Sequence, residues 1–349
     1  MARNRRRLDA ACPFDALSDD LVLAALLRAP FEPWHGRLEA VCRRFGAIVG
    51  AGGPFRRRRR AAGLAEHGLV VAGGRVVAGG RRDLERVADC SMFTSGRWRL
   101  ITPLSGPRAY ACSAIVEDED GQPEMWVMGG FDNRGILATV EAYNPRTNTW
   151  RSCLPLSQRR SGAVAGVVGG RLVVAGGVAR DVGYLTSVEA YTPTGWTLLP
   201  PLPHASWMAT ACVLNGRLYV MGGYECNQLQ VLEMSEENEF NWTVKAELPA
   251  WRAFAACCVF EGRLWLMGGA LADGSTASVF AYDTDNDSWA PGPALPRAVA
   301  GARATTLDGE VYFTGSDGEE WVYRNEAWVD VPSDHAGHTR AAVQSIRLG

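Results

Sequence analysis

Four short apolar segments in this chain each end in a pair of glycines: Trp126-Val127-Met128-Gly129-Gly130, Val173-Val174-Ala175-Gly176-Gly177, Tyr219-Val220-Met221-Gly222-Gly223 and Trp265-Leu266-Met267-Gly268-Gly269. A weaker copy, Tyr312-Phe313-Thr314-Gly315, follows, and the first glycines stand 47, 46, 46 and 47 residues apart. Spacing that regular restricts the chain to a fold in which one supersecondary unit is used repeatedly.

Each unit has the same internal order. A tryptophan follows the glycines by about 20 residues, at Trp150, Trp196, Trp242 and Trp289. Apolar-aromatic runs precede three of them: Val140-Glu141-Ala142-Tyr143, Val188-Glu189-Ala190-Tyr191 and Val279-Phe280-Ala281-Tyr282. A leucine-proline turn comes next, as at Leu202-Pro203, Leu248-Pro249 and Leu295-Pro296. An Ala/Val-rich run and a tight turn (Glu261-Gly262-Arg263 in one unit) then lead into the next glycine pair. This predicts four short strands per unit. Such a sheet cannot bury both faces alone, so units must stack, and radial stacking gives a propeller. Paired glycines allow close backbone approach, and one tryptophan per unit fills the gap between sheets.

Tyr-Asn-Pro-Arg-Thr-Asn-Thr-Trp (143–150) and Tyr-Asp-Thr-Asp-Asn-Asp-Ser-Trp (282–289), with the double glycines, resemble the kelch repeat. The resemblance runs from residue 69 to 349 and implies a mainly β fold, a six-bladed kelch-type β-propeller. The first unit offers both Gly73-Gly74 and Gly79-Gly80 before Trp98, which leaves its register open. The segment Arg340-Ala341-Ala342-Val343-Gln344-Ser345-Ile346 reads as a first strand with no unit after it, returning to complete the first blade.

Residues 13–50 read differently. Ser18-Asp19-Asp20 caps a helix that Pro30 stops, and Leu38 to Phe45 fit a second. So small a helical segment must bury its apolar stripe on something else. It resembles an F-box through Leu17-Ser18-Asp19-Asp20-Leu21, Leu26-Leu27-Arg28-Ala29-Pro30 and Arg37-Leu38-Glu39-Ala40-Val41-Cys42-Arg43-Arg44-Phe45. Ser18 replaces the usual proline and Phe45 the usual tryptophan. With kelch repeats behind it, the chain is similar to the plant F-box/kelch family. That resemblance implies an adaptor of a Skp–cullin–F-box ubiquitin ligase. The F-box would dock on the Skp-type linker through Leu17, Leu21, Leu26, Leu27, Pro30, Leu38, Val41, Cys42 and Phe45, and through it reach a cullin. The propeller would bind a protein substrate. The alternative is a propeller scaffold working outside any ligase.

Charge divides the chain in the same way. Residues 1–60 hold 13 arginines against 6 acidic residues (+7), and the remainder 23 basic against 32 acidic (−9), summing to −2. A basic tail (1–12) precedes the F-box-like module, and an Arg-rich linker helix (51–68) containing Arg56 to Arg60 follows it. The acidic propeller argues against nucleic acid as its main ligand. No apolar run nears the roughly 18 residues of a membrane span, and Leu8-Asp9 after the basic start does not continue a secretory signal. Nine scattered cysteines without a C-x-x-C pair fit reduced thiols in the cytoplasm or nucleus.

Site-forming motifs are few. Asp283, Asp285 and Asp287 alternate like a calcium loop, but Ser288 and Ala294 stand where glycine and glutamate are needed, so this is a repeat turn. No nucleophile elbow or phosphate loop occurs, and no cofactor is implied. Some kelch-type propellers are copper oxidases, which leaves that activity as a third reading. Four residues after the turn leucine, three units carry arginine: Arg108, Arg160 and Arg252. Arg340 has the same downstream pattern, and the unit between offers Trp207. These five are the candidate substrate contacts. The arginines have a second reading, as ties between neighbouring blades.

Overall fold

The structure, a computed structural model, describes residues 66–77, 84–94, 97–307, 309–315, 320–330 and 342–348. The F-box-like stretch 13–50, the tail 1–12, most of the 51–68 linker and Arg340 lie outside the described residues. Two compact units divide the chain. Of the first (1–68, 93–97 and 347–349) only strand ends are described. The second (69–92 and 98–346) carries the repeats.

Five four-stranded antiparallel sheets stand one after another, each built from strands that follow in chain order. The first blade consists of Cys112–Glu117, Pro123–Met128, Val140–Asn144 and Thr149–Cys153. The second to fifth begin with Val164–Val168, Thr210–Leu214, Ala256–Phe260 and Arg303–Leu307. These opening strands contact one another and form the inner wall. Second strands such as Arg171–Ala175 are buried on both faces after their first residue, whereas fourth strands such as Thr149–Cys153 are largely exposed.

Five blades of this kind, rather than the six expected, follow the repeat. The remaining four-stranded sheet is built differently, in the order Ala342–Leu348, Glu66–Val77, Leu84–Thr94, Arg97–Ile101. Its first chain-order strand starts at Glu66, inside the segment expected to be linker helix. Gly73-Gly74 lie within that 12-residue strand instead of ending it, so the glycine count overstates the number of repeat-type blades.

The glycine pairs mark where the next connection passes. A Cβ on Gly176 (φ +66°) would sit 2.5 Å from the Ser206 carbonyl oxygen, and Gly177 N–H donates to that oxygen at 2.7 Å. Gly130, Gly223 and Gly269 N–H make the same bond to Arg160, Arg252 and Val299 carbonyls, at 2.9, 3.0 and 2.8 Å. The tryptophans bind backwards. Trp150, Trp196, Trp242, Trp289 and Trp328 donate Nε1–H to the carbonyls of Thr102, Leu154, Pro200, Ala246 and Pro293, at 2.8 to 3.2 Å. Each acceptor lies in the connection entering that tryptophan's own blade. One residue type thus clamps each blade to its neighbour: the half-buried indole packs its rings and still has an N–H to donate to the connection.

The aspartate turn belongs to the same device. Asp287 (φ +46°) accepts from Ala246 N–H at 2.8 Å and Tyr282 O–H at 2.6 Å. Asn148 (φ +56°) does the same for Thr102 N–H and Tyr143 O–H, at 3.1 and 3.0 Å.

Candidate functional site

The connections into the blades meet at one mouth of the central channel. Tyr110, Gly162, Met208, Phe254 and Gly301 occupy the same repeat position and all have positive φ, from 55° to 80°. Gly162 N–H donates to Tyr110 O, Met208 to Gly162, Phe254 to Met208 and Gly301 to Phe254, at 2.8 to 3.0 Å. Four hydrogen bonds thus run around the axis and hold this rim independently of its side chains.

The three repeat arginines lie beneath that rim and face inward. Arg108, Arg160 and Arg252 are 3%, 1% and 1% exposed. Arg160 donates to the Gly176 and Ser187 carbonyls at 2.7 and 3.0 Å and pairs with Glu189 at 2.6 Å. Arg108 makes the equivalent bonds to Gly129 and Thr139 and pairs with Glu141. Arg252 donates to Gly268 and Ser278, and its guanidinium lies 5.0 Å from the Phe280 ring centroid. Burial lowers the Arg252 pKa, and no opposing charge offsets that effect. In the third blade the pair becomes Ser206 and Gln230, hydrogen-bonded at 3.0 Å. Buried in this way, the three arginines have the geometry of ties rather than of exposed contacts: their Nη groups bind carbonyls and, in Arg108 and Arg160, a carboxylate, while the buried Nε of those two has no partner.

Trp207 faces the other way. It joins a run of aromatic rings over the mouth: Phe131 stacks on Tyr110 (centroids 5.4 Å), Tyr110 meets Phe254 (6.4 Å), and Phe254 meets Trp207 (6.4 Å). Trp207 stacks on Tyr184 at 5.3 Å and meets Tyr224 at 5.6 Å, and Tyr224 meets Trp251 at 5.9 Å. Tyr184 and Tyr224 are about two-fifths exposed (40% and 39%), next to Val182 at 67%. Seven rings from four blades thus form a continuous, partly exposed apolar surface. Of the seven, the repeat arithmetic found only Trp207. Tyr110 and Phe254 stand two residues after Arg108 and Arg252, a spacing the sequence does show. Among the described residues no group of His, Cys, Asp and Glu is arranged to hold a metal ion.

Residues 122–156, 159–203 and 252–296 match the family described as Kelch motif. The fold is a kelch-type β-propeller. Its kelch relatives include mouse Kelch-like protein 35, 34% identical over 84 residues (24% of this chain, 15% of the relative). The Arabidopsis thaliana F-box protein AFR is 30% identical over 121 residues, 32% of this chain and 31% of its own. Human Kelch-like protein 33 is 32% identical over 149 residues, 43% of this chain and 27% of its own. The matched region therefore spans less than a third of each of these relatives. The solved structure titled "Structure of YjhT" shares the fold, with a TM-score of 0.58 at 15% identity, covering 78% of this chain and 97% of that one.

Proposed function

We propose that the chain is a substrate adaptor of a Skp–cullin–F-box ubiquitin ligase, located in the cytoplasm or nucleus and without a catalytic site of its own. The propeller holds a protein substrate on its aromatic mouth, and the F-box-like segment docks on the Skp-type linker. One observation carries the binding half: seven clustered rings, with Tyr184 and Tyr224 about two-fifths exposed, occupy the face where the connections of four blades meet. Rigid rings of this kind supply contact area at low entropic cost and anchor protein interfaces. The relatives named as F-box and Kelch-like proteins support a protein-binding role for the kelch repeats.

Two experiments test it. The Skp-type linker should be recovered with the wild-type chain and lost with Leu21→Asp or Val41→Asp. Equal recovery from all three overturns docking. Proximity labelling with the proteasome blocked should identify proteins whose labelling falls with Tyr184→Ser plus Tyr224→Ser. Unchanged labelling overturns the assignment of the face.

A further inference from the structure

The fifth blade breaks the repeat inside the channel. The first residue of each inner strand pairs with the residue before the glycine position: Cys112 with Met128, Val164 with Ala175, Thr210 with Met221, Ala256 with Met267. In the fifth blade that residue is Arg303, paired with Thr314. Four small or neutral side chains are thus matched by one guanidinium. Its hydrogen bond is from Nη1 to the carbonyl of its own neighbour, Ala302, at 3.0 Å. No carboxylate among the described residues pairs with it. Burial lowers its pKa, which reports the same desolvation. A half-buried guanidinium with one hydrogen bond and no ion pair among the described residues has donors to offer to a ligand in the channel.

Space is arranged around it. Arg303 lines a chamber of about 90 Å³ with Cys112, Val164 and Thr210. That chamber shares Ser113, Ala165, Ala211, Cys257 and Ala304 with a larger one of about 350 Å³. The larger chamber runs toward the opposite face and presents the Thr305 and Thr306 residues beside Val167, Val213 and Val259. Toward the aromatic mouth the space narrows to about 10 Å³ under Tyr110, Met208 and Phe254. The route to Arg303 therefore leads from the hairpin face, away from the aromatic surface.

We propose that this channel is a binding site for a small organic anion. A carboxylate or phosphate group sits in the inner chamber on Arg303, and the body of the molecule occupies the larger chamber. The inner volume admits one such head group, and the planar guanidinium offers it paired donors. The outer walls, mostly apolar with the hydroxyls of Ser113, Thr305 and Thr306 among them, suit a compact organic body.

Calorimetric titration of the full chain with inorganic phosphate, acetate, phenyl phosphate and benzoate tests the site. Saturable binding is expected for one head-group class, tighter for its phenyl-bearing member. The Arg303→Thr variant should weaken it by about 10- to 100-fold, and Arg146→Ala, an exposed arginine on a turn, should leave it unchanged. Preference for the phosphate or the carboxylate pair identifies the head group. Arg303→Lys keeps the charge without the fork and should retain part of the affinity, which covers any failure of the threonine variant to fold. Equal affinities for wild type and Arg303→Thr, or no saturable binding of any of the four probes, overturns the proposal.

Discussion

Arg252 lies over the ring of Phe280, 5.0 Å from its centroid, at the position where the second blade sets Glu189 against Arg160 at 2.6 Å. Both arginines are buried and both bind two backbone carbonyls. They differ in the counter-charge. Arg160→Met leaves the buried Glu189 carboxylate without its counter-charge, held only by the Ser157 N–H and O–H, whereas Arg252→Met leaves a thioether against an aromatic ring. Since breaking a buried pair costs about 3–5 kcal/mol, urea melts should show Arg160→Met the less stable of the two by roughly that amount. Equal losses would mean that the carbonyls, and not the carboxylate, carry the interaction.

The glycine pairs allow a second comparison within one loop. Gly176 and Gly183 both have positive φ, +66° and +84°, but a Cβ on Gly176 meets the Ser206 carbonyl while one on Gly183 meets nothing within 4 Å. Gly183→Ala should cost about 1 kcal/mol from backbone strain alone. Gly176→Ala should cost about 3 kcal/mol or more, because the neighbouring connection must also shift. Thermal melts of the two variants read the difference directly.

Cys112 gives a pH dependence. Burial pushes its thiol up to about 12, with nearby arginines opposing only in part. The folded state holds this proton after the unfolded chain has released it, so stability falls as pH rises above the ordinary thiol value. Each unit between about 8.5 and the raised value costs about 1.4 kcal/mol. Cys112→Ala should lose stability with a correspondingly shallower slope between pH 9 and 10. Parallel slopes for variant and wild type would contradict the assignment.

Tyr184 and Tyr224 are exposed, and their substitution by serine should change stability by about 1 kcal/mol or less. On the adaptor reading each should weaken partner capture by at least about tenfold, the effect of an interfacial aromatic anchor. Binding and melting measured on the same preparations separate the two effects.

Much of this architecture was legible in the residues. The glycine period located the blade edges, because a close backbone passage recurs at each one. The tryptophans marked the clamps, and the Asp283-Asp285-Asp287 run was a turn, as its siblings implied. The arginine spacing located three equivalent side chains, and of its two readings the buried geometry of Arg108, Arg160 and Arg252 fits the tie. What each arginine meets once buried is set by the second residue of the third strand, where Glu141, Glu189, Gln230 and Phe280 stand. That partner was visible, but only a register shows that the two meet. The aromatic surface was harder to find because Phe131, Tyr184 and Tyr224 come from loops of unequal length, without a common offset. Blade number failed for a simpler reason: a glycine pair inside a long strand looks, in one dimension, like one that ends a strand.

The rim of positive-φ residues has one more consequence. Its bonds run from backbone to backbone through Tyr110, Gly162, Met208, Phe254 and Gly301, so side chains do not close the ring, but at Gly162 a Cβ would lie 2.8 Å from the Trp207 and Met208 side chains. Two of the five positions carry no side chain, one carries a thioether and two carry rings. Such a collar divides its positions into fixed and variable ones: Gly162 is kept bare by the neighbouring Trp207 and Met208, while Tyr110, Met208 and Phe254 give each blade its own face toward a partner.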